Sequence, residues 1–213
     1  MFYQDLEEPL RFGDVIRGFA LSTPSIDSPP LNVNTHEYKI EIALPNFCAV
    51  LSPCCSIDEK VISLSPLIQI LSSFYLNPHF EEDLTRINRP VSPDKAIPPA
   101  GWETLTPLEQ KQKMDAGLIY THWEKFIYEK NDLFPIYTLK KTSSSWEKTT
   151  NHYMIDFRNT FRVNCSKIVR PNKAPLGTKC LQLSIETRKE LREKISAYYW
   201  RIPEEDKVLL ANT

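Results

Sequence analysis

Glycine is scarce in this chain, and the glycine-rich loops that cradle phosphates are missing from it. The 213 residues contain 5 glycines against 17 prolines. Without such loops, the sequence offers no nucleotide-binding motif of the phosphate-loop kind. The prolines instead predict stiff, extended connections, because proline fixes φ and removes a hydrogen-bond donor.

An excess of one charge sign is also missing. The 26 Lys and Arg residues balance 27 Asp and Glu residues, a formal net charge of -1. This balance excludes nucleic-acid binding that is driven by the net charge of the whole chain, so a nucleic-acid site would have to be a local basic patch. The sequence also lacks an apolar run of the roughly 18 to 20 residues that cross a bilayer, and its first residues are acidic rather than basic. We therefore expect a cytoplasmic protein with no membrane partner.

Cysteine is sparse, with five residues in a spacing that does not suggest disulfides. An odd count of this kind fits reduced thiols in a cytosolic protein. The adjacent Cys54 and Cys55 suggest zinc, but a zinc knuckle needs about two to four intervening residues. A reactive thiol in that turn is a further alternative, and a loop at the edge of the fold is favoured over both. We expect no metal and no cofactor.

Apolar residues concentrate in residues 47–70, FCAVLSPCCSIDEKVISLSPLIQI. Two short apolar runs joined by a polar turn predict a pair of buried strands. Residues 15–21 add a strand before this pair, and residues 36–44 alternate like a half-solvated antiparallel strand. The alternation is longest over residues 153–165, which predicts a long strand bent or bulged near Asn159.

Proline-rich and polar stretches predict long connections elsewhere. Residues 22–34 have the composition of a loop, and residues 71–150 form a proline-rich segment that is partly helical. Within that segment, Thr106 followed by Pro107 is typical of a helix start. We expect the helix to resume over residues 118–130, where apolar side chains recur at helical spacing.

A final helix is predicted near the end of the sequence. Ser184 has the chemistry of an N-cap, and Glu186 lies in the first turn, where the helix dipole favours an acid. An apolar stripe follows, and Pro203 ends the helix. Together these patterns predict a single domain over residues 1–213 that is mainly β with an α insertion.

The order of these segments resembles the MazF/PemK family of bacterial toxin proteins. FGDVIRGF resembles the opening strand of that family, CAVLSP and VISLSPLIQI its next apolar strands, and DFRNTFRVNCSKI with LQLSIETRKELREKISAYYW its last strands and closing helix. The resemblance implies an SH3-like small β-barrel closed by a C-terminal helix, formed by residues 11–70 and 151–202. Residues 71–150 have no counterpart in the family and would be a large insertion in a divergent member.

The resemblance also implies where catalysis would occur. Family members that cut RNA need no metal and use an arginine before the first apolar strand and a Ser or Thr at the end of the next. Here Asn46 and Leu67 stand at those positions, and Asn cannot supply the positive charge that a developing phosphorane needs. A register shift of two residues would bring Ser65 to the second position. If the chain is active, the candidate catalytic residues are therefore Ser65, Arg158 and Arg162.

A local basic face is a second candidate site. It would comprise Arg17, Arg158, Arg162, Lys167 and Arg170, provided that the first strand lies near the penultimate one, as in the resembled barrel. Such a face would bind RNA phosphates or an acidic protein surface. Ordinary solvated strand faces are the alternative.

The missing arginine favours a non-catalytic, MazF-like interaction module that binds a protein partner. The resemblance suggests a bacterial stress or phage-defence system, either toxin–antitoxin or CRISPR-associated, and allows a homodimer. A metal-independent endoribonuclease is the alternative, and RNA binding without cleavage is a third hypothesis, with single-stranded RNA as the ligand in both.

Overall fold

The chain divides into two compact units, which are described separately. The sheet unit comprises Phe2–Ile68 and Asn159–Leu183, and the helix unit comprises Met1, Gln69–Arg158 and Ser184–Thr213. The closing helix, which we expected with the barrel, thus groups with residues 69–158. The structure, a computed structural model, describes residues 1–7, 9–19, 21–25, 39–53, 57, 61–71, 80, 84, 87–92, 95–97, 101–102, 104–141, 146–164 and 178–200.

Strands dominate the secondary structure. In chain order the elements are β1 (Val15–Arg17), β2 (Leu21–Ser25), β3 (Lys39–Ala43), β4 (Cys48–Val50), β5 (Val61–Pro66), β6 (Ile68–Gln69), β7 (Ala96–Ile97), α1 (Pro107–Asp115), β8 (Ile119–Tyr120), β9 (Lys125–Tyr128), β10 (Tyr137–Lys141), β11 (Trp146–Thr150), β12 (Tyr153–Asp156), β13 (Phe161–Asn164), β14 (Thr178–Leu181) and α2 (Ile185–Trp200).

The sheet unit is built on a five-stranded antiparallel sheet in the order β13–β5–β4–β1–β14. Its central strands come from the apolar segment at residues 47–70, as the sequence predicts. Ile16, Val50, Ile62 and Leu64 are at most 1% exposed and form the centre of one core cluster. Burial of these β-branched and aliphatic side chains is the main force that holds the sheet together.

The loop predicted over residues 22–34 begins later than expected. Leu21–Ser25 is strand β2, which pairs antiparallel with β3 so that Pro24 lies opposite Ile40. An edge strand tolerates a proline, because the missing N–H can lie on the side that has no partner strand. β2 is such an edge strand, in a two-stranded sheet. The remaining residues of the predicted loop lie outside the described part of the chain.

The helix unit contains smaller sheets around a second core. Strands β9 and β12 pair antiparallel, β10 and β11 form a hairpin, and β7 and β8 form a parallel pair. The core cluster comprises Ile70, Phe80, Leu84, Ile127, Leu139 and Met154. Each of these side chains is at most 6% exposed.

The helix predicted over residues 118–130 is wrong. The segment forms strands β8 and β9, and β9 pairs antiparallel with β12. All four residues of β9 are buried, so both faces of the strand are covered. A strand buried on both faces has a nearly continuous apolar run, which also satisfies a helical spacing by chance.

Both predicted helix starts are confirmed. Thr106 caps α1 through a reciprocal capping box with Glu109, and Pro107 is the first helical residue. Ser184 Oγ accepts the backbone N–H of Thr187 at 3.3 Å and so caps α2. Within the described residues, no helix is long and apolar enough to cross a membrane.

The chain is mainly β, as predicted. The single long strand expected over residues 153–165 is wrong: β12 and β13 are separate strands that belong to different sheets, and the break between them includes Asn159, where a bend or bulge was expected. Within the described ranges the sheets are open, and closure into a barrel is not seen there.

Candidate functional site

Ser65, the candidate catalytic hydroxyl, lies on an inner strand of the five-stranded sheet. It belongs to β5, opposite Ala49 of β4, and its exposure is 0%. Leu64, its neighbour in the strand, is also fully buried, so both faces of the strand are covered at these two residues. A hydroxyl at this position cannot reach a ligand on the protein surface.

The two positions at which the resembled family carries its catalytic groups differ from each other in burial. Asn46 is exposed immediately before β4, whereas Leu67 is buried with 6% exposure. The exposed position therefore carries an amide without charge, and the buried one an apolar side chain.

The predicted basic face is not contiguous on the sheet. Arg17 ends β1 and Arg162 lies in β13, and both are exposed. The strand order places β4 and β5 between them, a separation of about 14 Å at the usual inter-strand spacing. The first strand and the penultimate one are thus not neighbours, as the basic face required. Lys167 and Arg170 lie outside the described residues.

Arg158 belongs to the helix unit, in the turn after β12, where Asp156 holds it. Its Nε lies 2.9 Å from Asp156 Oδ1, and a terminal guanidinium nitrogen lies 2.5 Å from Oδ2. The backbone N–H of Arg158 also donates to Oδ1, at 3.0 Å. A fork-to-fork pair of this kind fixes the planar guanidinium in one orientation.

Asp156 and Arg158 belong to a larger charged cluster. Lys125 at the start of β9 places Nζ 2.6 Å from Glu124 Oε1 and 3.3 Å from Asp156 Oδ2. The strand pairing brings these groups together, since Lys125 lies opposite Asp156 in the β9–β12 register. The Arg158 guanidinium lies 3.9 Å from Glu124 Oε1, and His122 Nδ1 lies 4.0 Å from the same oxygen.

Electrostatics keep both acids of the cluster ionised. The pKa of Glu124 lies far below its ordinary value, mainly because of the neighbouring His122 imidazole and then Lys125, against the opposing effect of burial. Burial by itself would raise the pKa of Asp156, but hydrogen bonds from Arg158 and the charge of Lys125 lower it overall. Asp156 in turn raises the pKa of Arg158.

Arg158 is by far the most exposed member of this cluster. Its side chain is 59% exposed, whereas those of Glu124, Lys125, Asp156 and His122 are 18%, 8%, 6% and 5% exposed. General acid–base catalysis requires the acid and base to lie within hydrogen-bond reach of the substrate. The cluster therefore fits a buried ion-pair network that orients one surface guanidinium better than it fits a set of catalytic groups.

Arg158 is a candidate site residue in the sequence, whereas its partners in the cluster are not. Glu124 and Lys125 lie within the segment that is predicted as a helix, and Asp156 lies within the segment that is predicted as a long alternating strand. One signal was available in the sequence, because the charged residues Glu124 and Lys125 directly precede the apolar run at residues 126–128. Charged residues are seldom buried unless they are paired. Where the chain is described, no three His, Cys, Asp or Glu side chains converge as metal ligands, and Cys54 and Cys55 lie outside that part.

Comparisons of the chain with protein-family models, with curated proteins and with solved structures found no match.

The half-buried Glu124 carboxylate leads to a pH-dependent prediction. Because its folded-state pKa is depressed below 4.5, its contribution to stability is complete above pH 4.5 and is lost as the pH falls below that value. We expect Glu124→Gln to lower the free energy of unfolding by about 2 kcal/mol at pH 7, the range for a hydrogen bond to a charged group. Urea denaturation from pH 7 to pH 3 should show that the difference in the free energy of unfolding between the wild type and Glu124→Gln becomes smaller below pH 4.5.

Glu147→Gln is the matched control, since Glu147 pairs with Lys140 at 3.9 Å and both side chains are at least 60% exposed. It should change stability by less than about 0.5 kcal/mol. If the loss of unfolding free energy in Glu124→Gln stays constant down to pH 3, the depressed folded-state pKa of Glu124 is contradicted.

Proposed function

We propose that this chain is a non-catalytic protein-interaction module of the MazF/PemK kind, built on an SH3-like small barrel. In this proposal it acts in the bacterial cytoplasm as an accessory of a stress or phage-defence system, either toxin–antitoxin or CRISPR-associated. The observation that carries the proposal is the exposed Asn46 at the position where the resembled enzymes carry their arginine.

The placement of the alternative catalytic residues supports the same proposal. Ser65 is fully buried, and Arg158 is engaged by Asp156 within the charged cluster. Transition-state stabilisation needs preorganised charges aimed at the reacting phosphate. A guanidinium already paired with a carboxylate supplies much less of that charge.

The strand order supports the barrel part of the proposal. The strands of the five-stranded sheet fall in or beside segments that resemble the toxin family: the opening strand, the two apolar strands, and the strands before the closing helix. Antiparallel sheets of five strands are the building material of small barrels of this kind.

Arg17 and Arg162 are the proposed contact residues for an acidic protein surface. Both are exposed on the sheet unit, and arginine is enriched in protein interfaces. The same residues would contact phosphates if the ligand were single-stranded RNA, but then the affinity would fall steeply with salt. In the proposal Lys167 and Arg170 extend this contact, and a second copy of the chain is one of the allowed partners.

The proposal is tested by using the purified full chain as bait in a bacterial lysate treated with nuclease. We expect a stoichiometric protein partner that is lost from a bait carrying Arg17→Glu and Arg162→Glu. A control bait carrying Lys111→Glu and Lys148→Glu, which reverses two exposed charges of the helix unit, should retain it. A bait that remains monomeric and retains no protein would contradict the proposal.

A further inference from the structure

Lys194 is a buried lysine on the inner face of α2. Its exposure is 2%, and it shares that face with Thr187 and Leu191, the other buried residues of the helix. The spacing 187, 191, 194 is the i, i+4, i+7 pattern of a single helix face. Lys189, on another face of α2, has a side chain that is 73% exposed.

The amine of Lys194 has little compensation for its burial. Its Nζ donates to the backbone carbonyl of Ile87 at 2.7 Å. Among the described residues, no carboxylate lies within 4.0 Å of this nitrogen. An ammonium group has three donors, and burying a charge without a counter-ion is costly. The neutral amine, which needs fewer partners, suits this position better.

The surrounding charges do not remove this cost. Burial lowers the pKa of Lys194 to about 7; Glu124 opposes the shift, and Lys125 adds to it. Glu124 is itself committed to Lys125 at 2.6 Å. Among the described residues, the other charged or titratable groups on α2 and on the segments that contact it are His122, Asp156 and Arg158, Arg89 near Ile87, and Glu186, Arg188, Lys189, Glu190, Arg192, Glu193, Tyr198 and Tyr199 of α2 itself.

We propose that Lys194 is a pH-sensitive latch for α2, which packs tightly while the buried amine is neutral and loosens when the amine takes up a proton. The latch is independent of the proposed function and would operate in any context in which α2 must detach. When α2 opens, Lys194 enters water and regains its ordinary proton affinity, while the Ile87 carbonyl and Leu191 lose their contacts.

The direction of the pH effect follows from linkage. The folded-state pKa lies below the ordinary lysine value of 10.5, so between these two values the open state binds more protons. The stability of the packed helix must therefore rise with pH through this window and reach a constant, lower level below it. Acidification from pH 8.5 to pH 6.5 is then expected to weaken packing by about 20-fold.

Hydrogen exchange of the α2 backbone amides, corrected for the intrinsic pH dependence of exchange, measures this opening. In the full-length protein, we expect protection of α2 to increase by about 20-fold from pH 6.5 to pH 8.5. Lys194→Met keeps a long apolar side chain without the titrating group, and its α2 protection should not depend on pH in this range. Lys189→Met, the matched control, should behave like the wild type.

Two outcomes would overturn the proposal. One is wild-type α2 protection that stays constant from pH 6.5 to pH 8.5, and the other is a Lys194→Met variant that keeps the full pH dependence. If Lys194→Met does not fold, an NMR titration of the Lys194 side chain in the wild-type protein decides the matter. A midpoint near pH 7 would support the latch, and a midpoint above pH 9 would refute it.

Discussion

Replacing Asp14 with alanine is expected to lower the free energy of unfolding of the sheet unit by about 3 to 5 kcal/mol, the range for breaking a buried ion pair. The Asp14 carboxylate is fully buried, accepts the backbone N–H of Arg11 at 2.7 Å, and lies 2.8 Å from Lys179 Nζ. Without it, the 13%-exposed Lys179 side chain loses its counter-charge. Guanidinium chloride denaturation, followed by hydrogen exchange of the β1 and β4 amides, measures the loss in this unit.

A double-mutant cycle isolates the contribution of the ion pair. Lys179 also donates to the carbonyls of Glu7 and Pro9 at 2.9 Å each and to Gln182 Oε1 at 2.7 Å, so Lys179→Met removes more than one contact. We expect Asp14→Asn combined with Lys179→Met to be less destabilising than the sum of the single variants, by at least about 1.5 kcal/mol. Strictly additive losses would contradict a coupled pair.

Asp156→Ala is expected to have an effect of similar size in the helix unit, a loss of about 3 to 5 kcal/mol. Asp156 is 4% exposed, lies 3.3 Å from Lys125 Nζ, and makes the two-pronged pair with Arg158. Its removal leaves the buried Lys125 with Glu124 as its remaining acidic neighbour in the cluster. Urea denaturation monitored by hydrogen exchange of the β9 and β12 amides measures the change.

Glu147→Ala provides the comparison for Asp156→Ala, since it breaks the exposed pair with Lys140 in the same unit. Its effect should stay below about 1 kcal/mol. If the two variants lose equal stability, burial does not determine the strength of the Asp156 pairs, and the description of the cluster as a buried network is wrong.

Local signals in the sequence predicted the elements whose cause is local. The strand at Val15 follows Gly13, whose φ of 85° is a conformation that glycine adopts readily. The start of α1 was predictable because Thr106 and Pro107 have the chemistry of an N-cap and a first helical residue. The apolar runs around residues 47–70 were predictable as strands because they are short and bounded by turn residues.

The elements that depend on tertiary context were not predictable in this way. β9 is a strand because β12 pairs with one side of it and the core covers both of its faces, and neither fact is visible in residues 125–128 alone. The charged cluster likewise joins residues 124–125 to residues 156–158, and its geometry exists only after β9 and β12 pair. The sequence named Asp14 as part of a motif, but its ion pair with Lys179, 165 positions away, required the fold.

An RNA-cleavage assay is the direct test of the proposal that the chain is a non-catalytic module. The purified full-length chain is incubated with a mixed pool of single-stranded RNAs in the presence of a metal chelator, and the products are mapped at nucleotide resolution. We expect no site-specific cleavage by the wild type, and none by Arg158→Ala or Arg162→Ala. Specific cuts by the wild type that disappear in either variant, with folding preserved, would contradict that proposal and identify the chain as a metal-independent endoribonuclease.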